Sequence, residues 1–596
     1  MKKISYLLLC CLISFFSCNN SSTQTTQSEN KGVLQLKELL HNYYEDRLKL
    51  FPMEATALGD NRYNDQYQNT ISQKYRLALK EFYTNYRNKL EQTDRASLSD
   101  EDKMSYDVLR WECNIGLDQF NFKDYLMPVN QINSNHLLIP PMAEGTGVQP
   151  FVTVKDYDNW LKRLNGYLGW MDTAIVNMRA GMKEGYVIPK YLALKTVSQF
   201  EDFDHGAVET HMFYKPIKKM PASFSKEDKE RLTLEYGEMI QNKVEPAYKR
   251  MKDFLVKEYI PNCSDKAAIS STALGRPYYD YLVKYHTTSN LTAEQIFEIG
   301  EKEVTRILSE MEKVKAGVGF KGDLKSFFTY VREKKELMPY NTPEDVLASF
   351  ETIHERMKPN LAKLFNKTPK TKFEIRRIPA FMEMTGGANY LPGSNDGSRP
   401  GIFYVPVPNA KKHNNHSDES LFLHEAIPGH HYQCSLQAEN TDLPEFRRTL
   451  IYNAYCEGWA LYTESLGKEL GLYTDPYQYF GMLGQEMHRA LRLVLDVGLH
   501  TKGWTREQAI QYSMDHEAGS EQGITAEVER YIGMPGQALS YKIGQLKVRE
   551  LRTKAEQELG AKFNVAKFHD VVLSMGCVPL QVLEETIDRW IAEEKK

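Results

Sequence analysis

The sequence has almost no excess charge of either sign and no long apolar run in its main part. Lysine and arginine together number 75, against 79 aspartates and glutamates. Basic residues are not in excess, as they usually are in nucleic-acid-binding proteins, and we predict no nucleic-acid partner. No apolar stretch after the first 18 residues approaches the length of a membrane span. There is also no internal repeat and no phosphate-binding glycine loop. These absences argue against nucleic-acid-binding proteins, membrane-spanning proteins and P-loop enzymes.

The cysteines form no dense framework. Eight are present, and Cys10, Cys11 and Cys18 lie in the N-terminal apolar segment. The others are widely separated and show neither metal-knuckle spacing nor a disulfide pattern: Cys113, Cys263, Cys434, Cys456 and Cys577. A bridge between Cys434 and Cys456 is one pairing to consider, but the sequence predicts none.

The first 18 residues are typical of an export signal. Basic residues precede an apolar run over residues 4–16, which is too short to span a membrane as a mature helix. We predict a lipoprotein-type signal peptide over residues 1–18, a lipid on Cys18 and a polar tether over residues 19–32. The protein would then lie in the periplasm or at the cell surface and contact the membrane only through this anchor. Two phenylalanines near the cleavage point leave ordinary secretion open.

One short segment concentrates residues with metal chemistry. His424 and Glu425 stand together in an apolar setting, and His430 and His431 follow closely. A His-Glu pair with a second His on the same helix face is how zinc peptidases place two ligands and a general base. That second His normally comes four residues after the first, where this chain has Pro428. The ordinary motif is therefore absent.

A break in the helix can restore the site. On an unbroken helix His431 returns to the face of His424, but about 10 Å farther along the axis, too far to share one zinc ion. Pro428 removes a helical hydrogen bond, and Gly429 tolerates unusual backbone angles. A kinked turn could bring His430 or His431 beside His424. We prefer His430 as the ligand, with His431 as the alternative. A surface histidine cluster or a buried polar pair would explain the same residues without metal.

Glu457 completes a plausible ligand set. It lies in a strongly apolar helical segment, where an unpaired carboxylate is costly and a metal ion would compensate it. Two His and one Glu with an open fourth position is a catalytic zinc arrangement. We therefore predict one Zn²⁺ per chain, bound by His424, His430 and Glu457. Glu464, on the same face, would support the site or be solvated. A buried salt bridge is the alternative for Glu457.

Three motifs together resemble the bacterial family called domain of unknown function 885. They lie at residues 424–431, 457–464 and 530–542, and the resemblance runs from Pro52 to Asp570. That family is grouped with helical zinc peptidases of the two-His-one-Glu (gluzincin) type, such as carboxypeptidase Taq and the thimet oligopeptidases. The resemblance implies a mainly α fold with a helical zinc-metallopeptidase-like architecture and a small β-sheet beside the active-site helix.

The chain divides into two long parts after the tether. Residues 33–265 have mostly helical periodicity, apart from a loop-rich interruption over residues 127–154. We predict an N-terminal helical region there and a catalytic metallopeptidase-like region over residues 266–596. Ser417, followed by two acidic residues, predicts the start of the metal-binding helix.

Two strands are predicted just before that helix, over residues 373–378 and 402–407. In the related peptidases a strand edge at this place pairs with the substrate backbone. The resemblance therefore implies substrate contacts from the small residues between the strands, where the backbone allows close approach: Gly386, Gly387 and Ala388. An ordinary hairpin covering a core is the alternative.

These observations predict an exported zinc metallopeptidase of carboxypeptidase, dipeptidase or oligopeptidase type. The zinc would lower the pKa of bound water to about 7, and Glu425 would act as general base. The resemblance implies an oxyanion donor from a helix C-terminal to the ligands. Tyr541 is the first candidate and Tyr531 the second. Arg530 and Lys542 could bind a substrate carboxylate.

Two other classes remain open. A zinc hydrolase of non-peptide amides or cell-wall peptides would use the same machinery. A non-catalytic surface lipoprotein that binds peptides or glycans would also use a tethered helical cleft. Glu425 separates hydrolysis from binding, because only hydrolysis needs a general base.

Overall fold

Helices dominate the structure, as predicted. The computed structural model describes residues 21–596 except residues 144, 146, 205, 379–386, 395, 396 and 398, and it describes side chains from residue 34 onward. Helix accounts for 70% of the structure, and the remainder includes a small three-stranded sheet. None of the helices in this described part is both long and apolar enough to cross a membrane.

The first half of the chain is helical throughout. The first helix, α1, begins at Ser21, within the segment predicted to be a polar tether. The fifth helix lies inside the segment predicted to be loop-rich, and two prolines occupy its last turn. The helices are α1 Ser21–Leu50, α2 Pro52–Ala57, α3 Gln73–Leu90, α4 Asp100–Asp118, α5 Asn135–Met142, α6 Val154–Glu184, α7 Lys190–Glu201, α8 Lys215–Lys218, α9 Lys226–Met239 and α10 Glu245–Phe254.

The second half contains the longest stretches of buried helix. The helices are α11 Gly275–Thr287, α12 Ala293–Gly317, α13 Leu324–Glu333, α14 Pro343–Leu364, α15 Asp418–Glu425, α16 His430–Glu439, α17 Glu445–Thr449, α18 Asn453–Glu464, α19 Pro476–Thr501, α20 Arg506–His516, α21 Glu521–Gly533, α22 Leu539–Leu559, α23 Val565–Ser574 and α24 Leu580–Lys595. Buried apolar side chains form one cluster from Leu36 to Ile591, across both predicted regions.

The sheet lies immediately before α15 in the chain. Its strands are β1 Phe373–Arg377, β2 Asn389–Leu391 and β3 Gly401–Val405, in the order β1-β3-β2. The central strand β3 pairs in parallel with β1 and antiparallel with β2. It ends directly before a proline, which has no backbone N–H to donate a hydrogen bond to a neighbouring strand. Both predicted strands are confirmed. The three-residue strand β2 is too short to produce a periodic signal.

Two glycines bring α18 and α22 into close contact. A Cβ atom on Gly544 would lie 1.8 Å from the carbonyl oxygen of Ala454, and one on Gly458 would lie 2.5 Å from the Gly544 backbone. Only glycine allows backbones to approach this closely. The contact sets the helix that carries Glu457 directly against the helix that carries Tyr541.

The helix that carries His424 begins where the sequence predicts. Ser417 is its N-cap residue, but the serine side chain makes no capping hydrogen bond. The acidic residues of the first turn have other partners. The Asp418 carboxylate lies 3.0 Å from His413 Nε2, and Glu419 Oε1 lies 2.7 Å from Arg356. These contacts of two buried carboxylates connect the start of α15 to the neighbouring segments.

Candidate metal centre

The predicted break in the helix is present. Helix α15 ends at Glu425, and α16 begins at His430. Gly429 lies against the end of α15, where an added Cβ would be 1.9 Å from the carbonyl oxygen of His424 and 2.3 Å from that of Leu423. A glycine is therefore required here, because any side chain would push the two helices apart.

Helix α18 holds the break from one side. The indole Nε1 of Trp459 donates a hydrogen bond of 3.0 Å to the carbonyl oxygen of Pro428. The hydroxyl of Thr463, one turn later, donates to the carbonyl oxygen of Leu423 at 2.8 Å. Both bonds satisfy carbonyl groups that the interrupted helix leaves without intrahelical partners. Neither role could be predicted from the sequence, since a tryptophan in an apolar helix indicates only core packing.

Three predicted ligands meet at the break. Nε2 of His424 lies 3.5 Å from Oε2 of Glu457, and Nε2 of His430 lies 3.6 Å from the same oxygen. One ligand atom from each residue lies within 4.8 Å of the other two. Tetrahedral zinc ligands at about 2.0–2.2 Å from the ion are about 3.3–3.6 Å apart. The donor set and its spacing therefore fit a zinc ion.

The charges within this cluster stabilise one another. Burial lowers the pKa of His424, but hydrogen bonds to Glu457 and Glu464 outweigh it and raise the pKa to about 9. Burial raises the pKa of Glu457, yet hydrogen bonds from His424 and His430 bring it well below its usual range. A carboxylate facing two imidazoles thus remains ionised although it is mostly buried.

Glu464 supports His424 from behind. Its Oε1 lies 2.8 Å from His424 Nδ1, and its Oε2 accepts a hydrogen bond of 2.6 Å from the Ser420 hydroxyl. The Glu464 side chain is only 4% exposed. This contact orients the imidazole so that Nε2 faces Glu457, which is the usual arrangement behind a metal-binding histidine. Two roles were predicted for Glu464, support of the metal site and a solvated position on the helix. The structure supports the first.

Glu425 lies beside the cluster with its side chain uncommitted. It is the last residue of α15 and is partly exposed. Among the described residues, no hydrogen-bond or ion-pair partner holds its carboxylate. A partly exposed carboxylate next to His424 is available to accept a proton, and its role as general base remains a prediction.

His431 points away from the cluster. Its Nδ1 lies 2.9 Å from the hydroxyl of Tyr390 on β2, and its ring centroid lies 5.0 Å from that of Phe373 on β1. Burial lowers the pKa of His431 to about 4. The residue therefore joins α16 to the sheet as a neutral imidazole, and the alternative in which it replaces His430 has no support from the geometry.

The predicted substrate edge is described only in part. Gly386 lies outside the described residues. Gly387 is exposed and Ala388 half-buried, and both directly precede β2. In the described part of the chain, β2 pairs only with β3, so its other edge has no neighbouring strand. An extended peptide could pair there, and the assignment remains a prediction.

Tyr541, on α22, lies beside two arginine side chains from other helices. The Arg492 guanidinium lies 4.5 Å from its ring centroid, and that of Arg530 lies 5.9 Å away. No described residue hydrogen-bonds the Tyr541 hydroxyl. Tyr541 precedes by one helical turn the glycine at which α22 contacts α18. Its predicted role as oxyanion donor is therefore compatible with its position and remains a prediction.

Two other predicted binding residues already have protein partners. The Tyr531 hydroxyl donates to Glu527 at 3.0 Å, and this side chain is almost fully buried. Arg530 pairs with the same carboxylate at 3.1 Å and also contacts Gln537. Tyr531 would have to break its hydrogen bond to donate to a substrate. Arg530, which is partly exposed, keeps unused donors.

Lys542 does not have the predicted role. Its side chain is 0% exposed, and its ammonium lies 2.9 Å from Glu303 and 2.7 Å from Glu486. Two carboxylates neutralise it inside the helical core, so no substrate carboxylate can reach it. The sequence could not show this, because both partners lie on distant helices.

A network beside Tyr541 was not predicted. Arg492 contacts Glu527 at 3.1 Å, and His488 lies between two carboxylates, 2.7 Å from Glu517 and 3.4 Å from Glu527. Burial raises the pKa of Glu527, but the hydrogen bond from His488 and the charges of the two arginines bring it well below its usual range. The network fixes the surroundings of Tyr541.

The helices, the small sheet and the His-His-Glu cluster define a mainly helical protein with a candidate metal centre. The chain belongs to the family described as bacterial protein of unknown function (DUF885), whose model matches residues 52–587. The predicted family is therefore confirmed.

Solved structures have the same fold. The crystal structure of a candidate lipoprotein from Colwellia psychrerythraea is 29% identical and matches with a TM-score of 0.87, over 94% of this chain and 100% of that chain. A candidate lipoprotein of unknown function from Shewanella oneidensis is 17% identical and matches with a TM-score of 0.71, over 92% of this chain and 99% of that chain. The latter likeness shows the fold alone. Among curated proteins, none matches this chain.

Proposed function

We propose that this protein is an exported zinc-dependent peptidase of the two-His-one-Glu type. One observation carries the proposal. Ligand atoms of His424, His430 and Glu457 lie within 4.8 Å of one another on three helices, and the two that carry the histidines are separated by a break that only glycine permits. Glu464 orients one of the ligands from behind, as in known metal sites. A surface histidine cluster would need neither the glycine nor this buried support.

The metal ligands, Glu425 and Tyr541 have separate roles in the proposed hydrolysis. Zinc in such a site polarises a carbonyl oxygen and acidifies water. Glu425 takes the proton of the attacking water and delivers it to the leaving amine. The Tyr541 hydroxyl donates to the oxygen that becomes negative when the carbonyl carbon turns tetrahedral. Placement of Tyr541 on the helix packed against α18 supports its role.

Substrate binding uses the sheet and an arginine. The edge of β2 that has no neighbouring strand in the described part of the chain would hydrogen-bond an extended peptide, together with Gly387 and Ala388 before it. Gly386, outside the described residues, belongs to the same predicted substrate contact. Arg530 is the candidate for a substrate carboxylate, because part of its guanidinium remains without a carboxylate partner.

The proposal includes export of the protein and its attachment to the membrane by a lipid on Cys18. The N-terminal 18 residues have the pattern of a lipoprotein signal, and a similar solved structure is described as a candidate lipoprotein. A Cys18→Ala variant is expected to move from the membrane fraction to the soluble fraction. Continued sedimentation of this variant with membranes would contradict lipidation at Cys18.

Metal content and peptide cleavage test the proposal together. A soluble chain of residues 19–596 is expected to bind about one zinc ion, measured by elemental mass spectrometry. His424→Ala and Glu457→Ala should lose the metal. His431→Gln, a matched change at the neighbouring histidine, should keep it. A chain that folds but takes up no zinc would refute the peptidase.

Glu425→Gln separates catalysis from binding. The variant should keep its zinc and its melting temperature but cleave a peptide library at least about a hundredfold more slowly, because it lacks the general base. Zinc binding without cleavage by the unmodified chain would favour the peptide-binding lipoprotein. Cleavage confined to non-peptide amides would favour the other hydrolase.

A further inference from the structure

Two buried cysteines meet beside the metal centre. Sγ of Cys456 lies 3.4 Å from Sγ of Cys577, although the residues are 121 positions apart in the chain. Cys456 is on α18 next to Glu457, and Cys577 lies in the turn between α23 and α24. Their relative exposures are 8% and 0%. Of the described cysteines, this is the one pair whose sulfur atoms are in contact.

We propose that Cys456 and Cys577 form a disulfide bond in the exported protein. A disulfide has sulfur atoms about 2.05 Å apart, so the two side chains need to approach by only about 1.4 Å. Exported compartments favour disulfides. The inference rests on the proposed export and is independent of the proposed activity. The pairing differs from Cys434 with Cys456, which was considered from the sequence but not predicted. Cys434 instead contacts the side chain of Gln433.

The reaction is a thiol–disulfide exchange with a disulfide-bearing protein of the exported compartment. One cysteine thiolate attacks that disulfide and forms a mixed disulfide, which releases one partner thiolate. The second cysteine thiolate then attacks the mixed disulfide, closes the bond between residues 456 and 577, and releases the other partner thiolate. Two thiol protons are lost, and two electrons pass to the partner, which becomes a dithiol. Because both sulfur atoms are buried in the folded chain, the exchange takes place during folding.

The bond would fix the helix that carries Glu457. The backbone amide of Tyr452, the residue before α18, already donates to Cys577 Sγ at 2.9 Å. A disulfide keeps this acceptor and closes a loop of more than a hundred residues, which restricts the unfolded chain. The oxidised protein is therefore expected to melt several degrees above the reduced protein.

Alkylation under denaturing conditions followed by intact mass measurement tests the proposal. In the exported protein, three of the five cysteines outside the signal should react without reductant, and all five after reduction. A peptide pair that joins residues 456 and 577 should disappear on reduction, with a gain of about 2 Da. Reaction of all five cysteines before reduction in a signal-cleaved protein would overturn the proposal. A crosslink to Cys434 would also overturn it.

Variants and refolding make the test independent of export and activity. Cys434→Ser should retain the disulfide, whereas Cys456→Ser should release Cys577 to alkylation and abolish the redox-dependent change in melting temperature. Residues 19–596 refolded with a glutathione redox buffer should form the same bond, so failed export is distinguishable from failed pairing. Free thiols after such refolding, with a folded product, would refute the pairing. Zinc content should not depend on the bond.

Discussion

Gly429→Ala is the sharpest perturbation of the break between α15 and α16. The added Cβ would lie 1.9 Å from the His424 carbonyl oxygen, while real Cβ contacts stay above 3.0 Å. The two segments must therefore separate by about 1 Å. Backbone atoms cannot yield as a flexible side chain does, so we expect a loss of stability of about 1–3 kcal/mol.

The same displacement should damage the metal centre. The distances of 3.5 and 3.6 Å from Glu457 to the two histidines are close to the spacing that tetrahedral zinc needs. A shift of about 1 Å in His430 removes this match. We expect zinc affinity to fall about ten- to a hundredfold, as it does when the support of a ligand is lost.

The assay is thermal unfolding together with zinc competition against a chromophoric chelator. Gly484→Ala is the matched control, because this helical glycine has open space around its added Cβ. That substitution should be neutral or stabilising by up to about 1 kcal/mol, since alanine favours helix. If Gly429→Ala melted like the unmodified chain and bound zinc equally well, the break would not position the ligands.

Three further predictions concern buried ionisable side chains. Glu464→Gln should lower zinc affinity about tenfold with little change in fold, because the support of His424 loses its charge; titration with zinc measures it. Burial raises the pKa of Asp496 from 3.8 to about 7, so its protonated form stabilises the fold below pH 3.8 and this contribution is lost as pH rises through 7. The free energy of unfolding of Asp496→Asn, measured with denaturant, should therefore rise relative to that of the unmodified chain. The expected rise is about 3 kcal/mol as the pH increases from about 5 to about 8. Lys542→Met should lower the free energy of unfolding by about 1–3 kcal/mol, because Glu303 and Glu486 lose Lys542 but keep Arg306 as a cationic partner. Zinc content and KM should not change.

Each of these has a distinct contrary result. Unchanged zinc affinity in Glu464→Gln would mean that His424 needs no support. A pH-independent difference for Asp496→Asn would mean that this carboxyl is ionised in the folded protein throughout the range. A Lys542→Met variant with normal stability and a raised KM would restore the substrate-binding role.

The helices and the approximate ligand set could be predicted from local chemistry. Pro428 and Gly429 indicated that the helix breaks, and the break returns His430 rather than His431 to His424, as preferred. The long helices were visible because their apolar periodicity extends over many turns. The three-residue strand β2 was not visible, since so short a strand has no period to read.

Contacts between distant segments could not be predicted. Nothing near Lys542 in the sequence indicates that it forms ion pairs with two carboxylates on α12 and α19. The same is true of Trp459, whose hydrogen bond to the break depends on how α18 packs. A buried lysine and a binding lysine have the same local sequence, and only the tertiary structure separates them.

The most direct test of the metal centre is anomalous diffraction at the zinc absorption edge, from crystals grown with zinc. We expect one peak about 2.0–2.2 Å from Nε2 of His424, Nε2 of His430 and a carboxylate oxygen of Glu457. A map with zinc elsewhere in the protein and no density between these three residues would contradict it.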